Sequence, residues 1–331
     1  MFVKKLLVPI LILLVAIVLA FVWWTKVVTP VSTDSEPKRV VITKGSSAVE
    51  IADDLYEAEL IKSPLAFKFY VQLTGQAKKI QAGAYDLPSN ISLYQIVSQL
   101  VSGPTQVWIT IPEGLRREEI ANRFVTGLEK EGVTADDFRE RFLELTTGEE
   151  GYLFPDTYLF ERSASADLVV STMQNTFDKK TAEIAGPGGD SGLTFSEIVI
   201  LASIIERETL TGEERPIVAG ILKNRLDIGM GLQADATVQY AAANTRCARV
   251  TECEWWRPPT GAELATNSPY NTYRFSGLPP APIASPGLAA LKAAAAPADT
   301  DYFYYIHDST GQIHYARTLE EHNANVARYL R

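Results

Sequence analysis

The 331-residue sequence predicts an α+β protein with one N-terminal transmembrane helix, a small α+β module and a larger, mostly helical domain carrying a few strands. Three observations carry that expectation. One long apolar run opens the chain, strand, helix, helix and strand signals follow between residues 39 and 110, and helical periodicity dominates from 111 onward. The resulting division is 1–25 for a cytoplasmic start and membrane helix, 26–38 for a linker, 39–110 for the module and 111–331 for the larger domain. A composition of 46% hydrophobic and 21% charged residues is that of a globular chain, and it excludes both intrinsic disorder and a many-pass membrane protein.

The first element rests on Leu6 to Trp24, where no charge interrupts a run long enough to cross a hydrocarbon core. Lys4 and Lys5 precede it and Trp23-Trp24 close it. By the positive-inside rule and the aromatic belt the N-terminus is cytoplasmic and everything after Lys26 is outside, so the expected place is the cell membrane, single-pass, with an extracytoplasmic domain. A cleaved signal peptide is the competing reading, but Phe21-Val22-Trp23-Trp24 is not a small-x-small cleavage site. From Thr29 to Lys38 the chain is polar and carries Pro30 and Pro37, which reads as a linker that lets the ectodomain stand off the membrane.

The module opens on the β-type run Val40-Val41-Ile42. Ser47 with Glu50 forms a capping box, so a helix starts near Ser47 with Val49, Ile51, Ala52 and Leu55 as its apolar stripe. A second helix runs through Leu65, Phe67, Phe69, Tyr70 and Leu73, and Gly83-Ala-Tyr-Asp-Leu87 reads as a returning strand. This order resembles the LysM glycan-binding module, although a plain structural spacer has the same pattern. A helix from Ser92 to Leu100 ends at Gly103-Pro104, and the strand Val107-Trp-Ile-Thr-Ile111 leads to the domain boundary at Pro112-Glu113-Gly114.

In the larger domain, helices and loops alternate to about Ala182, and the cluster at 186–189 breaks the pattern. Thr194 and Glu197 then form a capping box ahead of Ile198, Val199, Ile200, Leu201, Ala202, Ile204 and Ile205, a helix apolar almost all round and therefore central. It ends in Glu206-Arg207-Glu208-Thr209. Glu208 shares its face with Leu201, Ile204 and Ile205, whereas Glu206 sits over Val199, Ala202 and Ser203. A carboxyl desolvated by bulky apolar neighbours has a raised pKa and can donate a proton near neutrality, as glycosidic cleavage requires. The alternative is two solvated glutamates at a helix end beside Arg207. The net charge of −9 argues against nucleic acid as a partner and leaves sugar polymers open.

Several runs resemble the endolytic murein transglycosylase (MltG/YceG-like) family. They are Gly151-Tyr-Leu-Phe-Pro-Asp-Thr-Tyr158, Leu201-Ala-Ser-Ile-Ile-Glu-Arg-Glu-Thr209, Lys223-Asn-Arg-Leu-Asp-Ile-Gly-Met-Gly-Leu-Gln233 with Asp235, Ser268-Pro-Tyr-Asn-Thr-Tyr273, Gly277-Leu-Pro-Pro280 and Ala284-Ser-Pro-Gly287. They occur in family order over residues 110 to 331. The resemblance implies a lyase that cuts within peptidoglycan glycan strands between N-acetylmuramic acid and N-acetylglucosamine and leaves 1,6-anhydro ends, with no cofactor. It also suggests a role in ending the growth of nascent strands beside the peptidoglycan synthases. It places the catalytic glutamate at Glu208, with Glu206 supporting and Thr209 a candidate to orient the carboxyl. Gln233, Asp235, Asn271 and Tyr273 are candidates to orient substrate, with loop-shaping as the alternative for Asn271 and for Gly277-Pro280.

Between Tyr240 and Pro269 the chain departs from the family pattern with a longer connection carrying Cys247, Cys253 and Trp255-Trp256. In an oxidising compartment the two cysteines can close a local disulfide; the alternative is two free thiols. The tryptophans read either as core packing or as a sugar-stacking surface. His307, His314 and His322 form no metal-type pair and read as structural, so no metal is expected. Strands are expected at Tyr302-Ile306 and Ile313-Tyr315, with a closing helix from Thr318. Two other functions stay open: a lysozyme-type hydrolase, and a non-catalytic peptidoglycan-binding scaffold.

Overall fold

The computed structural model describes residues 2–43, 45–104, 106–184, 191–247 and 253–330, with residues 2–13 described by backbone only. The side chains of Lys4 and Lys5 and the breaker cluster at 186–189 lie outside the described residues. The chain forms two compact units, residues 1–108 with 159–162 and residues 109–158 with 163–331.

The first unit contains α1 (Phe2–Val27), β1 (Pro37–Ile42), α2 (Ala48–Glu57), α3 (Pro64–Leu73), β2 (Gly83–Pro88) and α4 (Leu93–Ser102); β3 (Gln106–Thr110) and β4 (Thr157–Glu161), each only partly in this unit, complete a sheet of order β1-β2-β3-β4. Helices α2 and α4 start at the expected serines. The Ser47 hydroxyl accepts from the Glu50 amide while the Glu50 carboxylate accepts from the Ser47 amide at 2.7 Å, and Ser92 and Gln95 repeat the device on α4. β1 and β2 pair antiparallel from Pro37↔Pro88 to Ile42↔Gly83. Period-2 alternation turns Val40, Ile42, Tyr85 and Leu87 onto Ile51, Leu55, Phe67, Ile96 and Leu100, all buried.

Residues 29–36 are not the loose tether expected. Val28 is buried in the module core, its carbonyl accepts from the Leu93 amide at 3.0 Å, and Ser32 is bonded to Ser89 through backbone (3.2 Å) and hydroxyls (2.7 Å). An apolar residue at the head of the segment and serines able to pair with a neighbouring loop hold the polar stretch against the module. β4 is also an addition, because its region reads by sequence as helices and loops. Its signal was the alternation that buries Tyr158 and Phe160 and exposes Thr157 and Glu161.

Among the described residues no helix is long and apolar enough to cross a membrane. The first part of the apolar run lies in residues 2–13, whose side chains are outside the description.

The second unit holds α5 (Arg117–Gly127), α6 (Gly132–Leu145), α7 (Ala166–Thr181), α8 (Phe195–Glu208), α9 (Glu214–Asp227), α10 (Asp235–Arg246), α11 (Gly261–Leu264) and α12 (Leu288–Ala295). The hairpin β5 (Tyr304–His307) with β6 (Ile313–Ala316) and the closing helix α13 (Leu319–Tyr329) follow. α8 is its axis. Ile198 to Ile205 are all buried, and α9 and the alanine-rich α12 pack against it because small side chains allow close approach. The architecture is mixed α+β and mostly helical.

A second buried feature braces α10 against the start of α5. The Arg116 guanidinium is 2% exposed and lies 4.2 Å from the Tyr240 ring centre and 4.5 Å from that of Trp255. Glu150 accepts from the Arg117 amide at 3.1 Å, and burial with Glu118 nearby pushes its carboxyl up to about 8.

Candidate active site

Glu208 ends α8, the helix that the apolar sequence makes central. Its carboxyl is held from two directions by residues distant in sequence. The Tyr305 hydroxyl on β5 donates to Oε2 at 2.8 Å, and the Ala236 amide, in the first turn of α10, reaches Oε1 at 3.4 Å. The carboxyl therefore faces the positive end of a helix. Burial raises its pKa; the bonds from Tyr305 and Ala236 work in the opposite direction without cancelling it, and the charge of Asp235 adds to the rise. The same burial, with the Glu208 charge, holds the Tyr305 phenol well above its ordinary range, so it remains a donor. A carboxyl whose pKa is raised by burial but which has two donors ready for its ionised form can both release and recover a proton.

Glu206 points elsewhere, as its position on the helix requires, but it is more enclosed than facial reasoning suggested, with a side chain 5% exposed. Arg215 on α9 bonds it at 2.6 Å and lies 3.5 Å from Glu113, while the Gly287 amide donates to its other oxygen at 2.9 Å. A Cβ at Gly287 would lie 1.8 Å from Glu113 Oε1, so a larger residue there would have to push the Glu113 side chain aside. Glu206 thus joins α8, α9, the Glu113 loop and the Ala284-Gly287 segment. It is a structural support.

Arg207 is not solvated beside the glutamates. Its guanidinium stacks 4.0 Å from the Trp256 ring centre, and Trp256 donates through Nε1 to Glu119 at 2.9 Å. Trp255 is 7% exposed, so the tryptophan pair packs arginines. Cys247 and Cys253 are joined by a disulfide with Cα atoms 6.0 Å apart.

Thr209 does not orient the Glu208 carboxyl: its hydroxyl donates to the Ile205 carbonyl at 2.8 Å, the same carbonyl that accepts from its own amide at 3.1 Å. Tyr305 takes that role. Asn271 is fully buried and cannot reach a substrate. Its amide donates to the Leu264 and Thr266 carbonyls, and its oxygen accepts from the Tyr273 amide, which fixes the loop.

Gln233, Asp235 and Tyr273 are exposed, and the Tyr273 hydroxyl donates to Asp235 Oδ1 at 2.7 Å. Asp235 is the residue next to Ala236, so this pair borders the Glu208 carboxyl. Gln233 has φ +49 and donates its amide to the Thr272 carbonyl at 3.1 Å, an arrangement that turns the chain into α10.

The Lys223-Gln233 run has a positioning task. Asn224 donates to the Thr300 and Tyr302 carbonyls at 2.7 and 3.1 Å, and the buried Arg225 donates to the Phe303 carbonyl at 2.7 Å and to the Leu232 carbonyl. Together they hold the strand that presents Tyr305. His307 is on the same strand face, 3.2 Å from Glu214. The sequence marks the strand but not the role of Tyr305, for which the period-2 face shared by Tyr305 and His307 is the available signal. Among the described residues no group of three or more His, Cys, Asp and Glu side chains could hold a metal ion.

Tyr305→Phe is expected to lower turnover by about tenfold to a hundredfold, less than loss of a group that itself transfers the proton, since Tyr305 acts through Glu208. It removes a bond that favours the carboxylate, so the Glu208 pKa rises. A step needing the protonated acid loses rate as pH rises through that pKa, and the alkaline limb should therefore move to higher pH. A pH-rate profile of the variant checks both.

The chain is 32% identical over 338 residues to the endolytic murein transglycosylase of Bacillus subtilis, covering 94% of this chain and 90% of that protein. It is 29% identical to the endolytic murein transglycosylase of Streptococcus pneumoniae serotype 2, over 90% of this chain and 60% of that protein. Among solved structures it matches a yceG-like protein of Listeria monocytogenes at TM-score 0.56 and 30% identity, over 88% of this chain and 99% of that one. A model of the YceG-like family matches residues 40–328, and the chain belongs to the YceG-like family.

Proposed function

We propose that this protein is a peptidoglycan lytic transglycosylase that cleaves within glycan strands, with Glu208 as its acid and base. The observation that carries the catalytic assignment is the Glu208 carboxyl: desolvated, yet bonded by Tyr305 and Ala236. The shared family and the names of the Bacillus and Streptococcus relatives support the substrate.

In this reading Glu208 donates its proton to the glycosidic oxygen as the bond from muramyl C1 breaks. The resulting carboxylate, stabilised by the two donors, then takes the proton of the muramyl C6 hydroxyl as O6 bonds to C1. One carboxyl serves both steps, and no water is consumed. Ordinary glycosidases need two carboxyls because water must be activated or a covalent intermediate formed. Asp235 and Tyr273, exposed beside the carboxyl, and Gln233, exposed at the entry to α10, orient the sugar.

The apolar run Leu6 to Trp24 anchors the chain in the cell membrane with both units outside, and the 39–110 module has the element order of a LysM-like glycan-binding module. Strand cleavage next to the membrane ends the growth of nascent strands beside the synthases.

Purified glycan strands digested by the full chain are expected to yield 1,6-anhydromuramyl ends, read by mass spectrometry as products 18 Da lighter than hydrolytic ones, the mass of one water. Reducing ends instead would mark a lysozyme-type hydrolase, and unchanged strands a scaffold.

A further inference from the structure

The end of α1 is docked on the module. Trp24 donates through Nε1 to the Tyr94 hydroxyl at 2.9 Å and meets the Phe69 ring edge-on at 5.6 Å, and Val28 enters the module core. Beside this joint, α3 exposes Leu65, Phe69 and Leu73 at intervals of four residues along one face, with Leu73 72% exposed. These three side chains and Phe21, Trp23 and Trp24 of α1 line a groove of about 600 Å³. A helix face this apolar is unusual on a water-exposed module.

Two features identify what covers it. One wall of the groove is the last turn of the apolar run itself, and Ala20 to Trp24 span about 6 Å along the helix axis. That matches the depth of about 5–10 Å to which interfacial helices bury their apolar face. The other feature is charge. Residues 60–81 contain Lys62, Lys68, Lys78 and Lys79 and no acidic residue, in a chain whose net charge is −9. Lys62 bonds the Thr29 hydroxyl at 2.8 Å, and that hydroxyl bonds the Lys26 carbonyl, so the Lys62 cation stands just past the tryptophan pair.

We propose that α3 lies in the outer-leaflet interface, its groove filled by phospholipid acyl chains and its lysines on anionic headgroups, so that the membrane holds the module at a fixed height. The proposal rests on reading Leu6 to Trp24 as the membrane anchor. Basic residues near a membrane surface are attracted to anionic headgroups, which favours this orientation.

The test is nitroxide labelling of the full chain in nanodiscs of mixed phosphatidylglycerol and phosphatidylcholine. The native cysteines are bridged, so the label goes to an introduced thiol. Leu73→Cys reports the groove, Leu14→Cys the anchor and Tyr56→Cys, exposed on α2, the aqueous reference. The ratio of collisions with oxygen over collisions with a water-soluble nickel chelate is expected to be several-fold higher at Leu73 than at Tyr56, and highest at Leu14. In pure phosphatidylcholine the Leu73 ratio should fall while that at Leu14 holds; an unchanged ratio would overturn the headgroup contact. A lipid-exposed Leu14 with a water-exposed Leu73 would overturn the proposal and leave the anchor standing. A water-exposed Leu14 would overturn the anchor as well. A Leu73 label shielded from both reagents would mean that a protein surface, such as a second copy, fills the groove.

Discussion

Glu208→Gln is expected to reduce glycan cleavage by about a thousandfold or more, the upper part of the range for a positioned acid and base, because one residue performs both proton transfers. Glutamine preserves volume and can still accept from Tyr305, so the loss belongs to chemistry and not to folding. Stability supplies an independent check. Burial raises the folded pKa of Glu208, so its contribution is fully present below the unfolded value of about 4.5 and is lost as pH rises through the folded value. The neutral amide escapes that loss. The variant should equal the wild type in denaturation midpoint at acidic pH and exceed it at alkaline pH. Substantial residual cleavage at neutral pH would place the acid elsewhere.

Arg215→Met is expected to destabilise the second unit by about 3 kcal/mol, because it leaves Glu206 and Glu113 facing each other without their common cation. Glu206 is nearly buried, so water cannot replace the lost partner. The Gly287 amide alone remains on one of its oxygens. Burial and the Glu206 charge already hold the Glu113 pKa above its ordinary value against the pull of Arg215, and removing the guanidinium pushes it further up. Urea unfolding measures the loss. Adding Glu206→Gln to Arg215→Met should restore part of the stability, since it removes the unpaired charge while keeping a hydrogen-bonding side chain. A cost below about 1 kcal/mol for the single change would mean that the carboxylates behave as exposed groups.

The contrast between the two glutamates shows how far helix position alone can be read. Spacing places Glu206 and Glu208 on different faces of α8 and associates Glu208 with Leu201, Ile204 and Ile205. It does not reveal that Glu206 is enclosed as well, because that enclosure comes from Arg215, Glu113 and Gly287 on three other segments. Thr209 illustrates the same limit. Adjacent to Glu208 in sequence, it spends its hydroxyl on the helix backbone, and a tyrosine 97 positions away supplies the bond instead.

By itself the sequence determined the helix starts at Ser47, Ser92 and Thr194, the central place of α8, the strands of the final hairpin and the position of Glu208. Caps and periodicities act within a few residues, so they are written locally. Only the tertiary structure decided that Tyr305 and Ala236 grip the carboxyl, that Asn271 is buried away from substrate, and that the polar stretch after α1 is pinned to the module. Those outcomes depend on which distant surfaces meet, and burial and pairing energies are settled jointly by the whole packed unit rather than by any stretch of chain.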